Sequence, residues 1–396
     1  MNTGRVVSMY DKYIMDTYKR VPLCIEKAKG ARVWDIEGKV YLDFFPGWAV
    51  SGIGHCHPEV AAAIKKQAKK LLHVSNNYYS RLQGKLAETI INNSFPGKVF
   101  FANSGAEANE AALKLARKYG HEKGRFETIT CLKSFHGRTL GMITATGQEK
   151  VKMGFEPLPQ GFVHVPFNDI EAVEKAITDK TIAIMLEPVQ CEGGINIASP
   201  GYLKGLRALC DEKDIVLIFD EVQTGMGRSG RMFAFQNYGI RPDVMTLAKA
   251  LGGGLPIGAC VAREKFQAVL TPGTHASTFG GSPIVSAAAL AVFDAIKKEK
   301  LLENANKMAA YLKTKLEALR EKHYFVKEVR NLGLIIGVEL SIKGEAIYKE
   351  CMEEGLLINC TQDTVLRIMP PLTVTKKEID TAIAILDKVF GKNEGA

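Results

Sequence analysis

The chain has few of the features that mark a membrane, secreted or metal-stabilised protein. Its 396 residues contain no apolar run of about 18 residues, so no membrane-spanning helix is expected. The first twenty residues have neither the apolar core nor the small-residue cleavage site of a secretion signal. The eight cysteines form no C-x-x-C pair, which predicts reduced thiols in the cytoplasm rather than a disulfide framework.

Positive charge is present but is not concentrated in one place. The 52 Lys and Arg residues exceed the 43 Asp and Glu residues by nine, yet no basic run reaches five residues. A dispersed positive field suits small anionic ligands, so no nucleic-acid partner is predicted. His55 and His57 lie in the segment GHCHP but lack the further ligands that zinc requires, and no metal site is expected.

Between residues 98 and 262, short apolar segments alternate with segments of helical periodicity. The apolar segments are KVFFA, TITCL, FVHV, IAIMLEPV, IVLIFDEV, VMTLA and GACVA. Strands that alternate with helices predict an α/β domain with a mostly parallel seven-stranded sheet, covered by helices on both faces. Ligands of such sheets bind at the carboxyl ends of the strands, so the residues that follow these segments are the candidate site.

Two other regions flank this alternation. The segment ARVWDIEGKVYLDFF predicts a β-hairpin that turns at residues 35–38. From residue 284, a long helix to about residue 320 is predicted to lead directly into an α+β region. We therefore predict an N-terminal segment (1–60) that contributes to a small domain, a large domain (61–295) and a C-terminal small domain (296–396).

Two charged residues lie at the ends of predicted strands. Lys249 is the only charged residue in VMTLAKALGGGLPIGA. Burial would lower its pKa and make its amine a nucleophile that forms Schiff bases, although a lysine that reaches solvent from the core is the simpler alternative. Asp220 ends the apolar run IVLIF, so its carboxylate needs a cation, a metal or a structural ion-pair partner.

A third feature follows the first predicted strand of the sheet. Ser104 and Glu107 fit a capping box at the start of an amphipathic helix, and a phosphate bound at Gly105 is the functional alternative. The segment matches neither a Walker A loop nor G-x-G-x-x-G, which disfavours a nucleotide. A buried lysine, a strand-end aspartate and a phosphate site in one parallel sheet together indicate pyridoxal 5'-phosphate.

The longest motifs resemble those of a known enzyme family. They are FFANSGAEANEAALKLARKYG, SFHGRTLG, EPVQCEGG, FDEVQTGMGRSG, LAKALGGGLPIGA and THASTFGG. They resemble the class III pyridoxal-phosphate aminotransferases of fold type I, and within them the acetylornithine aminotransferases. The resemblance implies a homodimer with shared active sites that transfers the terminal amino group of N2-acetyl-L-ornithine to 2-oxoglutarate. Aminotransferases for ornithine, succinylornithine, succinyldiaminopimelate, 4-aminobutyrate or a carrier-linked lysine precursor share these residues and stay open, as does a non-catalytic regulatory protein.

The resemblance also implies roles for the residues that would bind the cofactor. Lys249 matches the lysine that binds the cofactor aldehyde, and Asp220 matches the partner of its pyridine nitrogen. The remaining contacts would come from Gly105 and Ala106 at the phosphate, Phe135 and Val222 on the two ring faces, and Gln223 at the ring hydroxyl. Thr278 matches a threonine that reaches the phosphate held by the neighbouring subunit. His136 is expected to be a hydrogen-bonded packing residue.

Substrate carboxylates would be bound by two arginines. Arg138 matches the first of them, with Ser277 assisting at the same carboxylate. Arg367 matches the second, and Glu192 matches the glutamate that masks it for a diamino substrate and moves aside for 2-oxoglutarate. Cys191 and Ala276 stand where the family commonly has glycine, so the fine specificity stays open.

Overall fold

The computed structural model describes residues 1–394. Within this range the α-helices are α1 (Thr3–Tyr13), α2 (Pro58–Ala68), α3 (Arg81–Asn93), α4 (Gly105–Gly120), α5 (Leu140–Ala145), α6 (Ile170–Ala176), α7 (Pro200–Lys213), α8 (Pro283–Lys298), α9 (Leu301–Lys322), α10 (Gly344–Glu353) and α11 (Lys376–Lys392). The strands in the same range are β1 (Ile25–Lys29), β2 (Arg32–Asp35), β3 (Val40–Asp43), β4 (Gly97–Ala102), β5 (Glu127–Cys131), β6 (Phe162–Val165), β7 (Thr181–Leu186), β8 (Val189–Gln190), β9 (Asn196–Ile197), β10 (Val216–Asp220), β11 (Val244–Leu247), β12 (Gly258–Arg263), β13 (Val326–Leu332), β14 (Ile335–Leu340), β15 (Leu356–Leu357), β16 (Asn359–Thr361) and β17 (Val365–Ile368).

The central sheet contains seven strands in the order β4-β12-β11-β10-β7-β5-β6. Only β12 runs antiparallel to its neighbours among the described strands of this sheet. Strands β7, β10 and β11 are buried at every residue, which explains why their sequences are continuously apolar rather than alternating. Each of the seven apolar segments thus forms a strand, and the predicted mostly parallel α/β sheet is confirmed.

Two further sheets have four strands each, and one of them joins distant parts of the chain. The predicted hairpin forms between β2 and β3, and β15 from the C-terminal region pairs in parallel with β3. The other sheet has the order β13-β14-β17-β16. These pairings support a small domain built from both chain ends, although the boundaries at residues 60 and 295 stay predictions, and residue 295 lies inside α8.

The prediction of one long helix from residue 284 to about residue 320 is wrong in one respect, because this segment forms two helices. Lys300 separates α8 from α9 and has a left-handed backbone, with φ of 53°. A left-handed residue cannot continue a right-handed helix, so the chain changes direction there and buries Leu301 at the start of α9. Helix α8 packs against α2 and α3 and is largely buried. No helix within residues 1–394 has the length and apolar character needed to cross a bilayer.

Asp243, immediately before β11, joins three neighbouring elements of the central domain. Its carboxylate is 3% exposed and accepts hydrogen bonds from the Leu217 amide in β10, from Arg207 in α7 and from Arg263 in β12, each at 2.9 Å. Removing one partner of such a buried network leaves uncompensated charges behind. Asp243 therefore holds the sheet and α7 in the arrangement that positions the strand ends.

We expect Asp243→Ala to lower the free energy of unfolding by about 3–5 kcal/mol, because both arginines lose a buried counter-charge. Asp211→Ala is the matched control. Asp211 also contacts Arg207, at 2.8 Å, but its side chain is 65% exposed, and exposed pairs contribute about 0–1 kcal/mol. Urea denaturation of both variants measures the difference. Equal losses would contradict the role given to Asp243.

Candidate active site

A cavity of about 380 Å³ lies at the carboxyl ends of the central strands. This is where parallel strands bring their last residues together, and the volume is in the range of small-molecule sites. Eight of the residues predicted for the site line it: Gly105, Ala106, Phe135, Glu192, Asp220, Val222, Gln223 and Lys249. Arg138, Ser277, Thr278 and Arg367 are not among the lining residues.

Lys249 follows β11 in a short 3₁₀ turn and has a left-handed backbone, with φ of 45°. Non-glycine residues adopt this conformation at some cost in free energy, and such strain is common at functional sites. The surrounding protein removes water from the amine and lowers the pKa of Lys249, while the negative charge of Glu192 opposes that shift. The amine is therefore easier to deprotonate than that of a solvated lysine.

The Asp220 carboxylate is held by three hydrogen bonds from different elements. Asn109 Nδ2 of α4 and His136 Nδ1 each lie 2.8 Å from Asp220 Oδ2, and the Val222 amide donates to Oδ1 at 3.1 Å. Asn109 is itself fixed by Thr246 of β11, whose hydroxyl donates to Asn109 Oδ1 at 2.6 Å. The carboxylate therefore has one orientation at the end of β10.

The start of α4 differs in part from the predicted capping box. Ser104 Oγ accepts a hydrogen bond from the Glu107 amide at 3.2 Å, as expected for an N-cap. The Glu107 carboxylate, however, accepts from the backbone and side chain of Asn103 rather than from the Ser104 amide. Only half of the predicted box forms, because the Asn103 amide competes for the same carboxylate.

The first residues of α4 can bind an anion. The amides at a helix N-terminus have no acceptor within the helix and carry its positive end, and here Gly105 and Ala106 line the cavity. A Cβ on Gly105 would lie 2.8 Å from a methyl carbon of Val222, a separation that forces one of them to move. Glycine at position 105 is therefore needed for Val222 to close this side of the cavity.

The donor and acceptor groups of the cavity fit pyridoxal phosphate. Within residues 1–394, two buried polar atoms of the lining have no hydrogen-bond partner, Gln223 Oε1 and His136 Nε2. An amine, a fixed carboxylate, helix N-terminal amides and an unpartnered acceptor match an aldehyde, a pyridine nitrogen, a phosphate and a ring hydroxyl, respectively.

Glu192 and Arg367 form an ion pair at the edge of the cavity. Arg367 Nη1 donates to Glu192 Oε1 at 2.7 Å, and the arginine, on β17, is fully buried. Glu192 lines the cavity and Arg367 does not, so the carboxylate is the member of the pair that faces the cavity. The predicted masking of Arg367 stays a prediction, and this arrangement supports it.

Besides Arg367, three predicted site residues lie outside the cavity lining. Arg138 is exposed, and its guanidinium carbon is 5.3 Å from the centre of the Phe135 ring. Ser277 and the exposed Thr278 line a separate depression, where Ser277 Oγ accepts from Asn103 Nδ2 at 3.2 Å. Within a single chain, these three residues therefore do not join the eight that line the cavity.

Some functional groups escaped the sequence analysis. Glu187 directly follows β7, the same strand-end position that drew attention to Asp220. It is 6% exposed and accepts from the Phe135 amide at 3.0 Å. Burial and the negative charge of Asp220 raise the pKa of Glu187 well above its ordinary value, because both disfavour its charged form. Asn109 was also missed, although it lies four residues after Gly105 on the same helix face.

Comparison with known proteins gives a consistent family. Residues 13–390 match the family described as Aminotransferase class-III. Acetylornithine aminotransferases from Caldanaerobacter subterraneus subsp. tengcongensis and Methanocaldococcus jannaschii are 53% and 54% identical to this chain, with 98% of the chain and 99% of each relative covered.

The solved structures agree with this grouping. The ornithine aminotransferase of Toxoplasma gondii has a TM-score of 0.95 and 35% identity, covering all of this chain and 96% of that one. A second structure of that enzyme has partial occupancy of pyridoxal phosphate at its active site.

Borohydride reduction in the presence of pyridoxal phosphate should attach the cofactor covalently to the peptide that contains Lys249, because its amine is the one with a lowered pKa inside the cavity. Lys249→Ala should abolish this labelling and lower amine transfer by several orders of magnitude. Lys152→Ala is the control, since Lys152 is also buried but pairs with Glu149 outside the cavity lining. Peptide mass spectrometry reads the result, and label on another lysine would contradict the assignment.

Proposed function

This chain belongs to the class-III aminotransferases, and we propose that it transfers the terminal amino group of N2-acetyl-L-ornithine to 2-oxoglutarate. The products are N-acetyl-L-glutamate 5-semialdehyde and L-glutamate, which places the reaction in arginine biosynthesis. The observation that carries the proposal is a cavity that combines Lys249 and Asp220 with the ion pair between Glu192 and Arg367. The names of the curated relatives, about half identical over nearly the whole chain, favour this donor over ornithine.

Class-III aminotransferases use pyridoxal 5'-phosphate, and the residues of the cavity fit it. When bound, it supplies an aldehyde that accepts an amino group and a ring that withdraws electrons from the neighbouring carbon. Lys249 would hold the aldehyde, and Asp220 would keep the ring nitrogen protonated. The remaining contacts would come from Gly105, Ala106, Phe135, Val222, Gln223 and, from the other subunit, Thr278.

Lys249 is the group that moves the proton between substrate and cofactor carbons. With the cofactor bound, Lys249 Nζ would take a proton from the substrate carbon and return it one position away. Its lowered pKa keeps a larger share of the amine in the basic form at neutral pH. The fixed Asp220 carboxylate favours the charge distribution needed at this step, because it is already oriented before the reaction starts.

The two half-reactions differ in how many carboxylates must be bound. With the ω-amine donor, Glu192 stays on Arg367, and Arg138 with Ser277 binds the single substrate carboxylate. With 2-oxoglutarate, Glu192 moves away, and Arg367 binds a carboxylate through its planar fork. One site can then accept two substrates of different charge in a ping-pong sequence.

The proposal includes a homodimer in the cytoplasm. Thr278 is exposed and lies outside the cavity of its own chain. Several large apolar side chains are exposed as well. They include Phe279, which follows Thr278 directly, and Leu71, Leu72, Tyr78 and Tyr79 in another part of the sequence. A second copy that covered these groups would remove apolar surface from water and bring Thr278 to the neighbouring cofactor phosphate. All eight cysteines are free thiols, as suits the cytoplasm.

A panel of amine donors tests the proposed activity. With 2-oxoglutarate as acceptor, kcat/KM for N2-acetyl-L-ornithine should exceed that for ornithine, N2-succinylornithine, succinyldiaminopimelate and 4-aminobutyrate by about tenfold or more, measured as glutamate formed. Lys249→Ala is the inactive control. Preference for another donor would replace the proposed substrate, and no transfer from any donor would favour a non-catalytic regulatory protein.

Mixed dimers test the position of Thr278. When Thr278→Val and Lys249→Ala chains are reassorted in equal amounts, half of the dimers are hybrids with one site free of both changes, so about a quarter of wild-type activity should return. Asp220→Asn mixed with Lys249→Ala is the matched control, because both residues serve the same cavity and no intact site can form. If both mixtures stay equally inactive, Thr278 acts within its own subunit.

A further inference from the structure

Arg367 is held from one side by the strand next to it. Asn359 on β16 is its direct cross-strand partner on β17, so the two side chains stand next to each other on one face of the sheet. Asn359 Oδ1 accepts hydrogen bonds from Arg367 Nε at 3.2 Å and from Nη2 at 2.7 Å. A single amide oxygen thus occupies one entire edge of the guanidinium.

The other contacts of Arg367 come from residues 191 and 192 and from two aromatic rings. Nη1 donates to the Cys191 carbonyl at 2.9 Å and to Glu192 Oε1 at 2.7 Å. The rings of Phe45 and Trp48 have their centres 4.5 and 5.2 Å from the guanidinium carbon. Aromatic faces attract a cation without neutralising it. The guanidinium therefore has a defined plane even before Glu192 is considered.

Only one of these partners carries a negative charge. The oxygens of Asn359 and Cys191 are neutral, whereas Glu192 is a carboxylate. In the part of the chain that the structure describes, Arg367 is the only hydrogen-bond partner of the Glu192 side chain. Its backbone is anchored separately, since the Glu192 carbonyl accepts from Thr361 Oγ1 at 2.6 Å and from Gln362 Nε2 at 3.0 Å. The charged partner can leave by side-chain rotation, and the neutral partners stay.

We propose that Asn359 is a positioning and specificity-determining residue, which orients Arg367 through a neutral acceptor and so leaves its charge for a substrate carboxylate. The inference rests on the proposed function, because it concerns the half-reaction with the 2-oxo acid. A carboxylate at position 359 would match the guanidinium fork better than an amide does. It would also neutralise Arg367 permanently, and moving Glu192 would then expose no net charge.

Asn359→Asp tests this directly, because it changes charge with little change in shape. We expect KM for 2-oxoglutarate to rise about tenfold or more, with the single-turnover rate of the ω-amine half-reaction changed less than about twofold. The equilibrium dissociation constant of glutarate, a dicarboxylate that cannot react, should rise about as much, measured by calorimetry on the cofactor-loaded protein. Asn331→Asp is the matched control. It makes the same change on β13 of the same sheet, where the Asn331 amide donates to the Gly333 carbonyl, and should change neither value.

Asn359→Ala separates positioning from charge. It removes both hydrogen bonds of the Asn359 oxygen without adding a carboxylate, so glutarate binding should weaken several-fold, less than in Asn359→Asp. If Asn359 had a purely structural role, its variants would slow both half-reactions together. Glutarate binding would then not weaken in the order wild type, Asn359→Ala, Asn359→Asp. Such a result overturns the inference, as does unchanged glutarate binding in Asn359→Asp.

Glu192→Ala shows whether the gate itself exists. It should bind glutarate more tightly than wild type, because the competing carboxylate is gone, and adding Asn359→Asp to it should remove that gain. If Glu192→Ala has no effect and the wild type binds neither glutarate nor 2-oxoglutarate, the proposed function fails, and this inference fails with it. If Glu192→Ala binds more tightly and Asn359→Asp leaves that gain intact, only the role of Asn359 is refuted.

Discussion

The hydrogen bonds on the Asp220 carboxylate connect the parts of the site that must keep a fixed spacing. Asn109 belongs to the helix whose first turn offers free amides. His136 is the residue after Phe135, and Val222 packs directly against Gly105. A buried carboxylate is costly unless its oxygens are hydrogen-bonded. The hydrogen bonds that offset the cost of burying Asp220 therefore also fix its distance from the candidate phosphate site. They fix its distance from Phe135 and Val222, the predicted ring contacts, as well.

Burial acts on the two ionisable groups beside Asp220 in opposite directions. It lowers the pKa of Lys249 and raises that of Glu187, because in each case it disfavours the charged form. In this cavity the lysine gives up its proton more readily than a solvated lysine, and Glu187 gives up its proton less readily than a solvated carboxyl group.

Arg367 illustrates how a site can be both rigid and switchable. Its orientation comes from neutral oxygens and aromatic faces, and its neutralisation comes from Glu192, whose side chain has a single partner in the described residues. If all partners were charged, removing one would leave the guanidinium neutralised. If all were neutral, the buried cation would lack a counter-charge when no substrate is present. Dividing the two tasks between different residues avoids both outcomes.

The sequence by itself determined the seven strands of the central sheet, the strand-end positions of Lys249 and Asp220 and the family, because these depend on local apolar patterns and on contiguous motifs. It did not determine the break at Lys300, where one left-handed residue interrupts a continuous helical pattern. Nor did it determine which groups meet. Asn109 and His136 are 111 and 84 positions from Asp220 along the chain, and the Asn359 amide faces Arg367 only through the register of β16 and β17. Such contacts follow from how the sheets and helices pack, and burial, which residue type alone does not reveal, shifts the pKa values of Lys249 and Glu187.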